Sequence, residues 1–161
     1  MLIINFFPTT SLKFLYLISR IAFVAESPNV NTILDNNNIT YVKWDMNRHM
    51  SDLSSQTCHA GELPHRYMIG LYRVFNEIIN THPKVFFEGC ASGGNRFDLG
   101  ILSYFNQIWT SDDSDAVERM EIQYGTSFAY PYSSMGVHVS ACPNHQVRRT
   151  TPFAMRCNVA M

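Results

Sequence analysis

Charge is scarce in this sequence. Asp, Glu, Lys and Arg make up only 16% of its 161 residues, whereas soluble domains average about 25%. Twelve Lys and Arg face thirteen Asp and Glu, a net charge of −1, so the basic surplus of a nucleic-acid-binding module is missing. Four cysteines, Cys58, Cys90, Cys142 and Cys157, are too few and too scattered for a disulfide scaffold. None forms a CxxC pair, which leaves a zinc site with little support. Long apolar runs are absent too. Residues 2–24 are largely apolar, but Lys13 and Arg20 interrupt them, and the charge-free stretches are too short to span a bilayer. A signal peptide would carry its positive charges ahead of the apolar stretch and a small-x-small site behind it. Here they fall inside and after it, and Phe23-Val24-Ala25 is a poor cleavage site. No nucleic-acid or membrane partner is expected, and residues 1–30 form an unassigned apolar segment.

What is present is apolar surface. Hydrophobic residues reach 46% and aromatics 13%, enough to exclude a disordered chain. So little charge also suggests that further chain or other subunits cover much of the surface. Beyond Pro28 no repeat, low-complexity tract or linker divides the sequence. Leu34–Asn38 reads as a turn, because Asn and Asp bond their own backbone. Ile39–Trp44 reads as a strand ending in Asp45. Gly61-Glu62-Leu63-Pro64 opens a helix with Met68, Leu71, Tyr72, Phe75, Ile78 and Ile79 on one face. His82-Pro83 stops it. Val85–Glu88 is the next strand, followed by a loop over Gly89–Asn95. Phe97–Phe105 suits a short helix, and Gln107–Thr110 another strand. Ser111–Ser114 carries cap chemistry for a helix from Ala116 to about Tyr124. Ser134–Ser140 is a weaker strand, and Thr151–Met161 has helical composition.

Alternating strands and helices imply parallel strands joined by crossover helices. The polar residues follow the strands: Asp45 after the first, Cys90 after the second, Asp112 after the third. A (β/α)8 barrel keeps its chemistry there, as does a doubly wound sheet. No glycine-rich phosphate fingerprint follows a strand, which favours the barrel. Two carboxylates at neighbouring strand ends match the needs of glycoside hydrolysis, one as nucleophile and one as proton donor. Asp45 lies between Lys43 and Asn47, a cation and a hydrogen-bond donor that favour its ionised form. Asp112 stands in Ser111-Asp112-Asp113-Ser114-Asp115, where like charges raise the proton affinity of some member. Acidic residues at a helix N-terminus also serve as caps.

The motifs themselves resemble one family. Tyr41-Val42-Lys43-Trp44-Asp45-Met46-Asn47-Arg48 is similar to the nucleophile motif of family 36 of the glycoside hydrolases, the bacterial-type α-galactosidases or melibiases. Cys90-Ala91-Ser92-Gly93-Gly94-Asn95-Arg96-Phe97-Asp98 resembles the family's Cys-x-x-Gly-Gly-x-Arg-Phe-Asp loop. Trp109–Ala116 is similar to its acid/base motif. Ser133–Ser140 and Pro143-Asn144-His145-Gln146 resemble further family segments. The five blocks stand in family order from about Leu34 to Met161.

The resemblance implies a retaining α-galactosidase acting on melibiose- or raffinose-type α-galactosides without a cofactor or metal. Asp45 would be the nucleophile and Asp112 the acid/base, with Asp115 as runner-up. Lys43 and Asn47 would bond galactose hydroxyls, Lys43 also keeping Asp45 a carboxylate. Trp44 and Met46 would flank them at the substrate side, more as setters of backbone position. Cys90 and Gly93 would line the sugar pocket. The implied fold is α/β, an incomplete (β/α)8 TIM barrel over residues 31–161 comprising roughly the fourth to seventh βα units. A cytoplasmic homo-oligomer is the implied setting of the complete enzyme.

Other residues have structural readings. Asp113 and Asp115 suit helix caps, and Arg96 and Asp98 a loop-shaping ion pair. Cys58, Cys142 and Cys157 suit buried thiols, and His65, His138 and His145 core or supporting roles. Tyr67, Tyr72 and Phe75 suit a helix face. The earlier strands of the family barrel have no counterpart, Asp52–Ala60 departs from the pattern, and Asn95 stands where glycine is usual. A fragment or truncated gene product is therefore expected. The alternatives are an inactive remnant, or a relative that transfers galactose or cleaves α-N-acetylgalactosamine.

Overall fold

The computed structural model describes residues 2–5, 30–45 and 58–161. Five strands form one sheet in sequence order. They are β1 (Leu2–Asn5), β2 (Tyr41–Asp45), β3 (Phe86–Cys90), β4 (Gln107–Trp109) and β5 (Met135–Gly136). Strands β3 and β4 pair in parallel with Glu88 opposite Gln107, and β4 pairs in parallel with β5, Trp109 standing opposite Gly136. The described helices are α1 (residues 30–36), α2 (Leu63–Thr81), α3 (Ala116–Ser127) and α4 (Phe153–Val159). A parallel sheet with intervening helices is the expected α/β architecture of part of a barrel. Among the described residues, no helix is long and apolar enough to cross a membrane.

The chain divides into two units, residues 1–42 with 47–86, and residues 43–46 with 87–161. In the first, α2 begins with Pro64 in its opening turn and ends at His82, whose N–H bonds the Ile78 carbonyl. It buries Leu63, Tyr67, Leu71, Val74, Phe75 and Ile78. That stripe is turned slightly from the expected one, since Val74 takes an inward place and Met68 is only half-buried. Helix α1 corrects the turn reading of Leu34–Asn38. The helix runs through Asn36, and the Asn36 and Asn37 side chains donate to the carbonyls of Thr32 and Ile33 at 2.8 Å. These asparagines close a helix end rather than make a turn, their side-chain amides bonding carbonyls of the last helical turn.

In the second unit, strand alternation sorts the residues between the two sheet faces. Trp44, Phe87 and Ile108 are buried on one face, where Phe87 stacks with Phe105 at 6.0 Å. Lys43, Asp45, Glu88, Cys90 and Trp109 alternate with them and take the other. The stretch Phe97–Phe105 forms only a 3-10 turn at Ile101–Ser103. Its start is set by Asp98, whose Oδ1 accepts from the Ile101 N–H at 2.9 Å. Strand β5 is two residues long, not the seven of Ser134–Ser140. Helices α3 and α4 are tied by Gln123, which donates to the Val159 carbonyl at 3.0 Å.

Candidate active site

Asp45 is the last residue of β2, and Cys90 the last of β3. Cys90 is 4% exposed. Burial, reinforced by hydrogen bonding and charge from Asp45 and opposed by the Gly93 backbone and Lys43, pushes its pKa up to about 12. Cys90 is therefore a neutral thiol, a small group beside a carboxylate.

Beyond β3 the chain turns sharply. Ser92 has φ 49° and Gly93 φ 78°. A Cβ on Gly93 would stand 2.9 Å from the Ser111 Cα and 3.1 Å from the Asp112 N, and one on Gly94 would stand 2.9 Å from the Thr110 carbonyl oxygen. The paired glycines let the Cys90 loop lie against the backbone of the acidic motif after β4. Arg96 secures the loop from its other side by donating to the Cys90 carbonyl. Asn95, in the place expected for glycine, is exposed.

Lys43 extends from β2 so that its Nζ lies 3.3 Å from Oε1 of Glu88 and 4.2 Å from the centre of the Trp109 ring. Glu88 is 6% exposed and carries no signal in the sequence beyond being an acid within an apolar strand. Glu88 is an ion-pair partner of Lys43 that the sequence reading did not name. Trp44 is 2% exposed and alternates with Lys43 and Asp45, so its ring lies in the core on the opposite sheet face. Met46 and Asn47, expected to reach the sugar, lie outside the described residues.

The three aspartates after β4 have separate environments. Asp112 is exposed, and its Oδ1 accepts from the Trp109 indole N–H at 3.0 Å. Asp113 is half-buried and accepts from the Asp115 N–H. Asp115 is 1% exposed and is the N-cap of α3, accepting from Val117 N–H at 3.0 Å and Glu118 N–H at 3.3 Å. It also pairs with Arg149, which bonds Glu118 at 3.0 Å. Pro143-Asn144-His145-Gln146 secures the same loop. Gln146 Oε1 accepts from the Ser114 N–H at 2.9 Å, and Asn144 Nδ2 donates to Ser114 Oγ at 3.3 Å.

Sequence reading missed Arg119. It lies 4% exposed in α3, donating to the carbonyls of Asp113 at 2.8 Å and Ser111 at 2.9 Å. Burial lowers its pKa, against the carboxylates of Asp113, Asp112 and Glu88. The one signal in the sequence was an arginine near a helix N-terminus, where the macrodipole disfavours a cation. His138 stacks on Trp109 at 4.8 Å, and although it is exposed overall, desolvation there lowers its pKa, as do the Arg119 and Lys43 cations. His65 and His145 are exposed, not core residues. Among the thiols read as buried, Cys142 is exposed and Cys58 and Cys157 are half-buried. No group of three or more His, Cys, Asp or Glu among the described residues could hold a metal ion.

The melibiase family model matches residues 19–161. The chain belongs to the melibiase family. This melibiase-family chain is 56% identical over 129 residues to a probable α-galactosidase G of Aspergillus terreus, covering 80% of this chain and 17% of that protein. It is 53% identical over 135 residues to the α-galactosidase AgaA of Geobacillus stearothermophilus, covering 82% of this chain and 18% of that protein. The chain thus spans less than a fifth of these relatives. The crystal structure of AgaA, a GH36 α-galactosidase, superposes with a TM-score of 0.83 at 50% identity over 89% of this chain and 20% of AgaA. An AgaA variant has been solved with raffinose.

Proposed function

We propose that this chain is the catalytic centre of a retaining α-galactosidase that removes terminal galactose from melibiose- or raffinose-type α-galactosides by double displacement. One observation carries the reading: Lys43 and Asp45 share a face of a parallel sheet with Cys90, whose glycine-bearing loop packs on the backbone of Asp112. Asp45 attacks the anomeric carbon while Asp112 protonates the departing oxygen. Water then hydrolyses the galactosyl ester with Asp112 as base. Exposure suits Asp112 to proton exchange, whereas Asp115 is committed to the helix cap and Arg149. Lys43, fixed by Glu88, and Asn47 bond sugar hydroxyls, and Cys90 and Gly93 provide a small-walled site. Strands β2–β5 correspond to roughly the fourth to seventh βα units of a (β/α)8 barrel within a cytoplasmic homo-oligomer.

Retention calls for carboxyl groups roughly 5–5.5 Å apart. The test is p-nitrophenyl-α-galactoside hydrolysis by this chain and by a version extended in both directions. The extended protein is expected to turn over. The chain alone is expected to show little activity, because catalysis also depends on positioning contacts from further strands. In the extended protein Asp45→Gly should abolish turnover, and azide should restore it with β-galactosyl azide as product. An α-azide, or unchanged activity, removes Asp45 from the role. The alternative reading is a catalytically inactive remnant of such an enzyme. It predicts no turnover from either protein.

A further inference from the structure

Trp109 touches three charged groups at this sheet end. Its indole N–H donates to Asp112 Oδ1 at 3.0 Å. The Arg119 guanidinium lies 4.5 Å from its ring centre and Lys43 Nζ 4.2 Å. Arg119 also donates to the Ser111 and Asp113 carbonyls, the residues immediately before and after Asp112. Its Nη1 is buried without a hydrogen-bond partner among the described residues. A guanidinium gains little stability from such an arrangement, since a buried N–H left unbonded is costly. The π face of Trp109 offsets part of that cost.

We propose that Arg119 and Trp109 act together as positioning residues for Asp112. Arg119 pins the backbone on both sides of the aspartate, and Trp109, held in place by the same guanidinium, bonds its carboxylate. Neither residue touches the reacting atoms. The proposal rests on the assignment of Asp112 as acid/base for its catalytic meaning, and on geometry alone for the coupling itself. A loop aspartate that is exposed to solvent would otherwise sample several rotamers. Two carbonyl bonds and one indole bond restrict it to the arrangement in which its other oxygen stays open for proton transfer.

The chain contains two tryptophans, Trp44 and Trp109, so indole N–H signals in a ¹H–¹⁵N spectrum of this chain read the coupling directly. Trp44→Phe assigns the pair, and the Trp44 signal serves as the check on folding. Asp112→Ala should move the Trp109 signal upfield, as expected when its acceptor is lost, with Trp44 unmoved. Arg119→Met should move it in the same direction with Asp112 intact. Arg119→Lys, which keeps the charge but cannot bond both carbonyls in the same fork, should give a smaller displacement. If Arg119→Met unfolds the chain, Arg119→Lys carries the test. A Trp109 signal that ignores Asp112→Ala, or ignores the substitution of Arg119 in a folded chain, overturns the proposal. Failure of the catalytic reading looks different. It shows as undiminished hydrolysis of poor leaving groups by the extended Asp112→Ala protein, and it leaves the indole coupling in place.

Discussion

The ammonium of Lys43 and the carboxylate of Glu88 meet at 3.3 Å, across the neighbouring strands β2 and β3 and mostly out of solvent. The pair joins the strand that ends in Asp45 to the strand that ends in Cys90. It fixes the long Lys43 side chain, with the Trp109 ring on its flank.

Glu88→Gln preserves volume but removes the charge that opposes Lys43. A hydrogen bond to a charged group is worth about 1.5–3 kcal/mol, so a loss of stability of that order is expected from the urea midpoint. In the extended protein the same substitution should raise KM more than it lowers kcat, because it loosens a group proposed to bind sugar hydroxyls. Unaltered stability and KM would show that Lys43 does not depend on Glu88.

Gly93 should tolerate no side chain. Its φ of 78° and the 2.9 Å approach that a Cβ would make to the Ser111 backbone act in the same direction. Gly93→Ala is expected to cost on the order of 1–3 kcal/mol, the range for a strained backbone position. Thermal unfolding measures the loss. Gly125 is the control, because a methyl group added there would meet no atom within 4 Å. Gly125→Ala, within helix α3, should be neutral or stabilising.

The aspartates should separate by what they lose. Asp115→Ala removes the N-cap of α3, a change worth about 0.5–2 kcal/mol, and should lower the unfolding temperature. Asp112→Ala should leave stability within about 0.5 kcal/mol, as for exposed positions. In the extended protein it should slow melibiose far more than an activated aryl galactoside, by roughly 10²–10⁴-fold for lost acid catalysis. If Asp115→Ala shows that selective loss at unchanged stability, the acid/base assignment moves to Asp115.

Thiol reactivity offers a test that needs no activity. The pKa of Cys90, raised to about 12, keeps it protonated below that pH, and only the thiolate attacks a disulfide reagent. At pH 8 Cys142, which is exposed, should react first, and Cys90 only when the chain unfolds. Rapid labelling of Cys90 in the folded chain, read by peptide mass, would contradict its buried, neutral state.

Sequence periodicity located the framework well. The apolar alternation of Val42 and Trp44 with Lys43 and Asp45 marks a strand with two distinct faces, and Asp115 carries the composition of a cap. Short range is the reason, because side-chain direction along a strand and capping at a helix end depend on residues a few positions apart. The same local view put a turn at Leu34–Asn38, since asparagine serves equally in turns and at helix ends.

The sequence by itself determined which residues could do chemistry and the order of strands that carries them to one edge. Tertiary structure alone decided the partnerships. Ser114 meets Gln146 across thirty-two positions, Lys43 meets Glu88, and Arg119 reaches the carbonyls on both sides of Asp112. Such pairs are set by where parallel strands and their crossovers return the chain, and no local spacing encodes that path. The burial that makes Cys90 a neutral thiol and Arg119 an internal clamp arises from the same assembly, through loss of water around groups whose neighbours are distant in sequence.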